Sequence, residues 1–208
     1  MKSTNAHWDK IFSDTEDEKL GWYEKDVSQT LKLLNKITAW EQSTIFISGA
    51  GTSVLTDELF ARGVKLVLND ISIEALNQVK NRLNTEKVTW LCQNISQPIQ
   101  NITVDVWIDR AVLHFLTAEK DIEGYFENIK STLKLNGYAI FAEFSNNGAL
   151  TCAGLTLHRY SIEELSARLG STFQLVSHFN YTYTNYRGEP RPYIYGLYKK
   201  IARTTTSR

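Results

Sequence analysis

Thr44-Ile45-Phe46-Ile47-Ser48, followed at once by Gly49-Ala50-Gly51-Thr52-Ser53, is the stretch on which the reading of this chain turns. A short β-branched and aromatic run that stops at a glycine reads as a buried strand. The first glycine lets the backbone turn tightly, and the second lets a ligand approach the main chain. Helical spacing resumes at Val54, so unsatisfied N–H groups at a helix start would face that ligand. A glycine-rich turn that binds nothing has the same local pattern.

Outward from this turn, strands and helices alternate. Val54 to Ala61 is helical and stops at Gly63, and Val64 to Leu68 is the next strand. Ser72 precedes a helix through Leu83, with Asp70 and Glu74 suited to its N-terminal dipole. Lys87 to Cys92 and Val104 to Ile108 continue as strands, and Thr117 is an N-cap for a helix to about Leu133. Gly137 turns the chain into Tyr138 to Phe144. Ser161 to Leu169 is a helix with Ser161 and Glu164 as a capping box. Phe173 to Tyr186 and Tyr193 to Ile201 form a hairpin around Arg187-Gly188-Glu189-Pro190. Upstream, Val27 to Trp40 carries apolar residues at helical spacing. This order predicts an α/β fold: a Rossmann-like, seven-stranded, mostly parallel sheet with helices on both faces and an antiparallel C-terminal strand.

Composition narrows the classes. With 208 residues the chain suits one domain, 1–208, and its 23 Lys plus Arg balance 23 Asp plus Glu. No global field recruits nucleic acid or an anionic membrane, so neither is expected as a partner. Cys92 and Cys152 form no CxxC pair, and no metal site is expected. Met1 to Lys10 is polar and does not read as a secretory signal, and no apolar run approaches the roughly 20 residues of a membrane helix. A cytoplasmic protein is the economical expectation.

The strand after the glycine turn ends in Asn69-Asp70. In nucleoside-binding α/β folds an acid here accepts hydrogen bonds from ribose hydroxyls; the bland alternative is that Asp70 caps the following helix. A dinucleotide site wants a small residue where Val54 stands, and no GK[ST] follows the glycines. A ligand without pyrophosphate survives these tests, and S-adenosylmethionine is one.

At these residues the chain resembles the class I S-adenosylmethionine-dependent methyltransferases, from His7 to about Lys200. The resemblance makes Gly49, Ala50, Gly51, Thr52 and Ser53 the first cofactor motif. Leu68-Asn69-Asp70 with Ile71 becomes the second, and Gln93-Asn94-Ile95 the polar neighbour of the adenine. Val104 to Ala111, with Trp107 followed by Asp109-Arg110-Ala111, is similar to the fourth-strand motif of the thiopurine methyltransferase-like group. His7-Trp8-Asp9 and Leu20-Gly21-Trp22-Tyr23 are similar to its aromatic N-terminal segment, which closes over the cofactor. The Gly-x-Gly-x-Ser loop also looks like that of some small protein-lysine methyltransferases. Ile47 and Ser53 depart from the usual acid and third glycine of the loop.

The resemblance implies a helical lid segment over 1–40 and a core over 44–201; the small and polar residues 202–208 read as a frayed tail. Trp8, Trp22 and Tyr23 would cover the sulfonium, since a cation over an aromatic face is attracted; packing of the N-terminal helix is the alternative for Trp8. Asp109 and Arg110 lie where the fourth strand should end, on the edge where open α/β sheets bind ligands. They would join the cofactor site, with Arg110 holding a carboxylate of the cofactor or an anionic group of the acceptor; a structural contact between the two, or a surface charge, is the alternative. Asp109 and His114 are the candidate catalytic bases, and His158 and Arg159, with Arg110, the candidate acceptor contacts. A structural histidine at His114 and an ordinary helix approach at His158 are the alternatives. The expected acceptor is a small molecule; a protein lysine, or a nucleoside-binding module without turnover, stand beside it.

Overall fold

The computed structural model describes residues 3–202, so the tail expected over 202–208 lies, Ala202 apart, outside the described residues. A seven-stranded sheet runs in the order β3-β2-β1-β4-β5-β9-β8. Its strands are β1 (Thr44–Ser48), β2 (Lys65–Asp70), β3 (Thr89–Cys92), β4 (Val104–Arg110), β5 (Leu133–Phe144), β8 (Phe173–Thr184) and β9 (Pro190–Lys200). β1 to β5 pair in parallel, and β9 runs antiparallel to both β5 and β8. The fold is Rossmann-like, with one antiparallel strand inside the C-terminal hairpin, as the alternation predicts.

Strand periodicity distributes the core. On one face Phe46, Trp107 and Phe141 pack against α5 (Glu119–Thr132) and α6 (Ile162–Leu169) through Tyr125, Phe126 and Leu165. On the other, Ile47, Ile108 and Ile140 meet α2 (Ser28–Leu34), α3 (Val54–Ala61) and α4 (Ile73–Leu83) through Leu34, Leu59 and Val79. Both faces are buried, which is why the central strands read as continuous apolar runs.

Three local expectations are corrected. The helix read over Val27 to Trp40 ends at Leu34. Asn35, Ile37 and Thr38 are poor helix formers, and Asn35 instead accepts the Trp40 indole N–H at 3.2 Å. Thr117 is not an N-cap: Ala118 takes that position and makes no side-chain cap bond. Gly137 lies inside β5 where a Cβ would sit 2.8 Å from the Asp105 carbonyl oxygen, beside a register shift in the β4 pairing. Unanticipated is a two-stranded ribbon, β6 (Thr151–Cys152) with β7 (Leu155–Thr156), between β5 and α6.

The N-terminal segment contributes α1 (Asn5–Asp14), laid across the start of α4. No helix among the described residues is long and apolar enough to cross a membrane.

Candidate active site

The glycine turn sits at the carboxyl end of β1. Gly49 and Gly51 both have left-handed φ, +55° and +50°. A Cβ on Gly49 would lie 2.1 Å from Val112 Cγ2, so this glycine is needed for close approach of the segment after β4. A Cβ on Gly51 would lie 3.2 Å from the Phe12 ring of α1. Ser53 caps α3, accepting the Leu55 N–H at 3.2 Å.

Asp70, at the end of β2, faces this turn. One carboxylate oxygen accepts the Gly51 N–H at 2.8 Å and the other the Ser72 N–H at 2.9 Å. Burial pushes its pKa up to about 6, against the opposing pull of these N–H donors. The expected ribose acceptor thus braces the glycine turn and reaches the same cavity. On the next strand, Asn94 accepts the Ser96 N–H at 2.9 Å, which holds Asn94 and Ile95 along the cavity wall.

The end of β4 splits by side-chain alternation. Ile108 and Arg110 point to the cavity side; Trp107 and Asp109 point toward α5. Arg110 Nε lies 2.7 Å from Glu24, and Nη1 donates to the Trp22 carbonyl at 2.8 Å. The rings of Tyr183 and Tyr193 lie 5.3 and 5.6 Å from the guanidinium. Burial works against the charge, but Glu24 beside it raises the pKa and keeps Arg110 cationic. Its Nη2 is buried without a partner among the described residues.

A roof closes over these groups. Trp8 packs edge-on against Trp22 and Phe115 at 5.4 and 4.8 Å between ring centroids. The roof is pinned to the domain by Asp9, which accepts the Ser72 hydroxyl at 2.6 Å and the Glu74 N–H at 3.2 Å. Gln78 donates to the Phe12 carbonyl at 2.9 Å, and Asp17 accepts the Thr52 hydroxyl. Trp8, Trp22, Tyr23, the loop Gly49 to Ser53, Asp70, Ile71, Asn94, Ile95 and Arg110 all line one cavity.

The remaining expected residues lie elsewhere. Asp109 and His114 are fully buried and neither lines the cavity, which places them away from any acceptor in it. Asp109 accepts from Tyr125 Oη at 2.5 Å and from the Val112 N–H at 3.1 Å. His114 Nδ1 lies 2.6 Å from Glu143. Burial lowers the His114 pKa to about 3, so the ring is neutral and Nδ1–H donates to Glu143. Burial first, then Glu143, raises Asp109 well above the carboxylate range; burial likewise lifts Glu143 to about 7. His158 Nε2 lies 2.8 Å from Glu164, where the expected capping box would have used that carboxylate. Arg159 donates to the Asn146 carbonyl at 2.6 Å. Neither His158 nor Arg159 lines the cavity. Sequence reasoning missed Glu24, Phe12 and Phe115, which do.

The residues present fit S-adenosylmethionine. The cavity lining holds a buried carboxylate, Asp70, for a ribose diol, and an unpartnered guanidinium nitrogen, on Arg110, for an amino-acid carboxylate. Aromatic rings of the same lining, Trp8 and Trp22 among them, suit a sulfonium. No cluster of metal ligands occurs among the described residues.

Residues 47–141 match the family model described as a methyltransferase domain. Nodulation protein S of Azorhizobium caulinodans is 26% identical over 98 residues, a match spanning 47% of this chain and 47% of that protein. The N-methyltransferase NodS of Bradyrhizobium japonicum WM9, solved with S-adenosyl-L-homocysteine, superposes with a TM-score of 0.72 at 13% identity, over 94% of this chain and 97% of that one. The 1,6-didemethyltoxoflavin-N1-methyltransferase of Burkholderia thailandensis superposes with a TM-score of 0.68 at 16% identity, over 92% and 81%. Residues 47–141 thus resemble a methyltransferase domain, and the chain shares the fold of these methyltransferase structures.

Proposed function

We propose that this protein transfers the methyl group of S-adenosylmethionine to a small-molecule acceptor. The observation that carries the reading is the meeting, in one roofed cavity, of the Gly49–Gly51 turn, the buried Asp70 carboxylate and the unpartnered Arg110 nitrogen. S-adenosylmethionine supplies a methyl already activated by a positive sulfur, so the protein has mainly to bind, orient and exclude water. Asp70 takes the ribose hydroxyls, Arg110 the amino-acid carboxylate, and Trp8, Trp22 and Tyr23 shut out solvent. Ile71, Asn94 and Ile95 flank the adenine. Asp109 and His114 act at one remove: through Val112 and Glu143 they hold the segment after β4 against Gly49.

The acceptor class rests on supporting likenesses. The Trp107, Asp109-Arg110 motif is similar to that of the thiopurine methyltransferase-like group, and the toxoflavin neighbour is named for a small acceptor. The Gly-x-Gly-x-Ser loop favours protein lysine as the second reading. Two unpaired thiols, Cys92 and Cys152, suit the reducing cytoplasm.

The test is incubation with methyl-labelled cofactor and a cell lysate, with calorimetry of S-adenosylhomocysteine alongside. Label in the small-molecule fraction supports the proposal. Label in a protein band supports the lysine reading, and tight binding with no label anywhere leaves a nucleoside-binding module.

A further inference from the structure

A second hollow lies behind the roof. This groove, of about 860 Å³, runs between α1, the β6–β7 ribbon and the β8–β9 turn. Leu20 and Trp22 line both the groove and the donor cavity, so a thin partition of the lid separates them. Gly21 thins the partition further: a Cβ there would stand 3.9 Å from Arg191 Nη2 and 3.7 Å from Cys152 Sγ. The Arg191 guanidinium is thus set directly against the wall shared with the donor.

The charge of the groove is one-sided. Lys10, Lys19, Arg187 and Arg191 line it against only Asp14 and Glu189. The four cations are not equivalent. Lys10 and Lys19 stand at the rim with side chains 78% and 60% exposed and are already paired with Asp14 and Glu16. Arg191 is set into the wall, its side chain 13% exposed. It spends one nitrogen on Glu189 at 2.6 Å, while its Nε is buried without a partner among the described residues. His7, across the groove on α1, likewise has a buried Nε2 without a partner. Unsatisfied buried polar groups are costly, and a ligand that supplies acceptor oxygens removes that cost at Arg191 Nε. Arg187 carries a further charge at the mouth, its Nε donating to the Tyr186 hydroxyl at 2.6 Å.

We infer that this groove is the acceptor site and that it selects a small molecule bearing an anionic group, a carboxylate or a phosphate, which Arg191 and Arg187 hold while the nucleophilic end passes Trp22 toward the donor. The inference rests on the methyltransferase reading above. A guanidinium fork matches the paired oxygens of such a group, and a partly dry wall strengthens the contact. Arg191 is in this sense a specificity-determining residue, since it touches the part of the acceptor that does not react.

The test uses the full chain saturated with S-adenosylhomocysteine and two fluorescent probes: anilinonaphthalene sulfonate, and phenylnaphthylamine, which keeps the rings and lacks the anion. The sulfonate binds about tenfold tighter or better, with energy transfer from tryptophan, and is displaced by inorganic phosphate and by benzoate. Arg191→Gln and Arg187→Gln each lower sulfonate affinity and leave the neutral probe unchanged; Arg191→Lys, which keeps the charge but not the fork, loses less than Arg191→Gln but does not match the parent. Should Arg191→Gln fail to fold by near-ultraviolet circular dichroism, Arg187→Gln and Arg191→Lys decide alone. Equal affinity for both probes, or variants that leave the preference intact, overturns the inference. Failure of S-adenosylhomocysteine to bind sinks the methyltransferase reading instead, so the two failures are distinguishable.

Discussion

Arg110 Nε and a carboxylate oxygen of Glu24 lie 2.7 Å apart, with only 10% and 8% of their side chains exposed. The contact joins the end of β4 to the lid, and the Trp22 carbonyl completes it. Removing one member of a buried pair leaves the other charge without compensation. Glu24→Ala therefore costs about 3 kcal/mol of stability and loosens the roof, so S-adenosylhomocysteine binds more weakly as well. Urea unfolding and calorimetry check both; a cost near zero would show the pair to be solvated.

Arg110→Lys separates charge from shape. Lysine keeps the cation but loses the fork that serves Glu24, Trp22 and a further carboxylate together. Donor affinity falls by about tenfold, roughly 1.4 kcal/mol, while the fold persists in circular dichroism. Unchanged affinity would remove Arg110 from the donor site.

Asp70 makes donor binding pH-dependent. With its pKa near 6, the free carboxyl is ionised above that value and protonated below it. The ionised form accepts the ribose bonds, so affinity is full above pH 6 and declines as pH falls through it. Asp70→Ala lowers affinity by at least tenfold, about 1.4 kcal/mol, and flattens the profile. A profile that stays the same in the variant excludes Asp70 as the source.

Glu143 makes stability pH-dependent. Glu143 is raised from 4.5 to about 7 in the fold, so the native state keeps a proton that the unfolded chain releases. Its contribution is fully present below pH 4.5 and is lost as pH rises through about 7. Glu143→Gln removes that part of the slope. Denaturant titrations of both proteins between those limits measure it, and identical slopes would refute the assignment.

Gly49→Ala adds a left-handed alanine and a clash with Val112, for a combined cost of about 3 kcal/mol. Gly63 also has left-handed φ, +78°, but no atom within 4 Å of a Cβ, so Gly63→Ala costs only about 1 kcal/mol. Val112→Ala recovers part of the first cost and none of the second in a double-mutant cycle. Melting temperatures report both.

How far the chain explains itself depends on the range of each interaction. Strand, glycine turn, strand and Asp70 are local patterns, and each strand of the sheet could be read from alternating or continuous apolar runs. Asp109 and Arg110 look alike as adjacent charges at a strand end. What separates them is strand parity: Asp109 shares a face with Trp107 and turns to Tyr125, whereas Arg110 shares one with Ile108. That signal was present in the sequence and outweighed by residue type. Glu24 offered none, because its partner is remote along the chain and no spacing rule links them. The β6–β7 ribbon is likewise too short to leave a periodic trace.

One slab of chain, Leu20 to Trp22, serves as ceiling for the donor and as floor for the acceptor. A molecule seated above, its reactive end passing the edge of that slab at Trp22, would hold the slab down and trap whatever lies beneath. The kinetic order follows: donor on first, acceptor second, methylated product away third, and the spent nucleoside last.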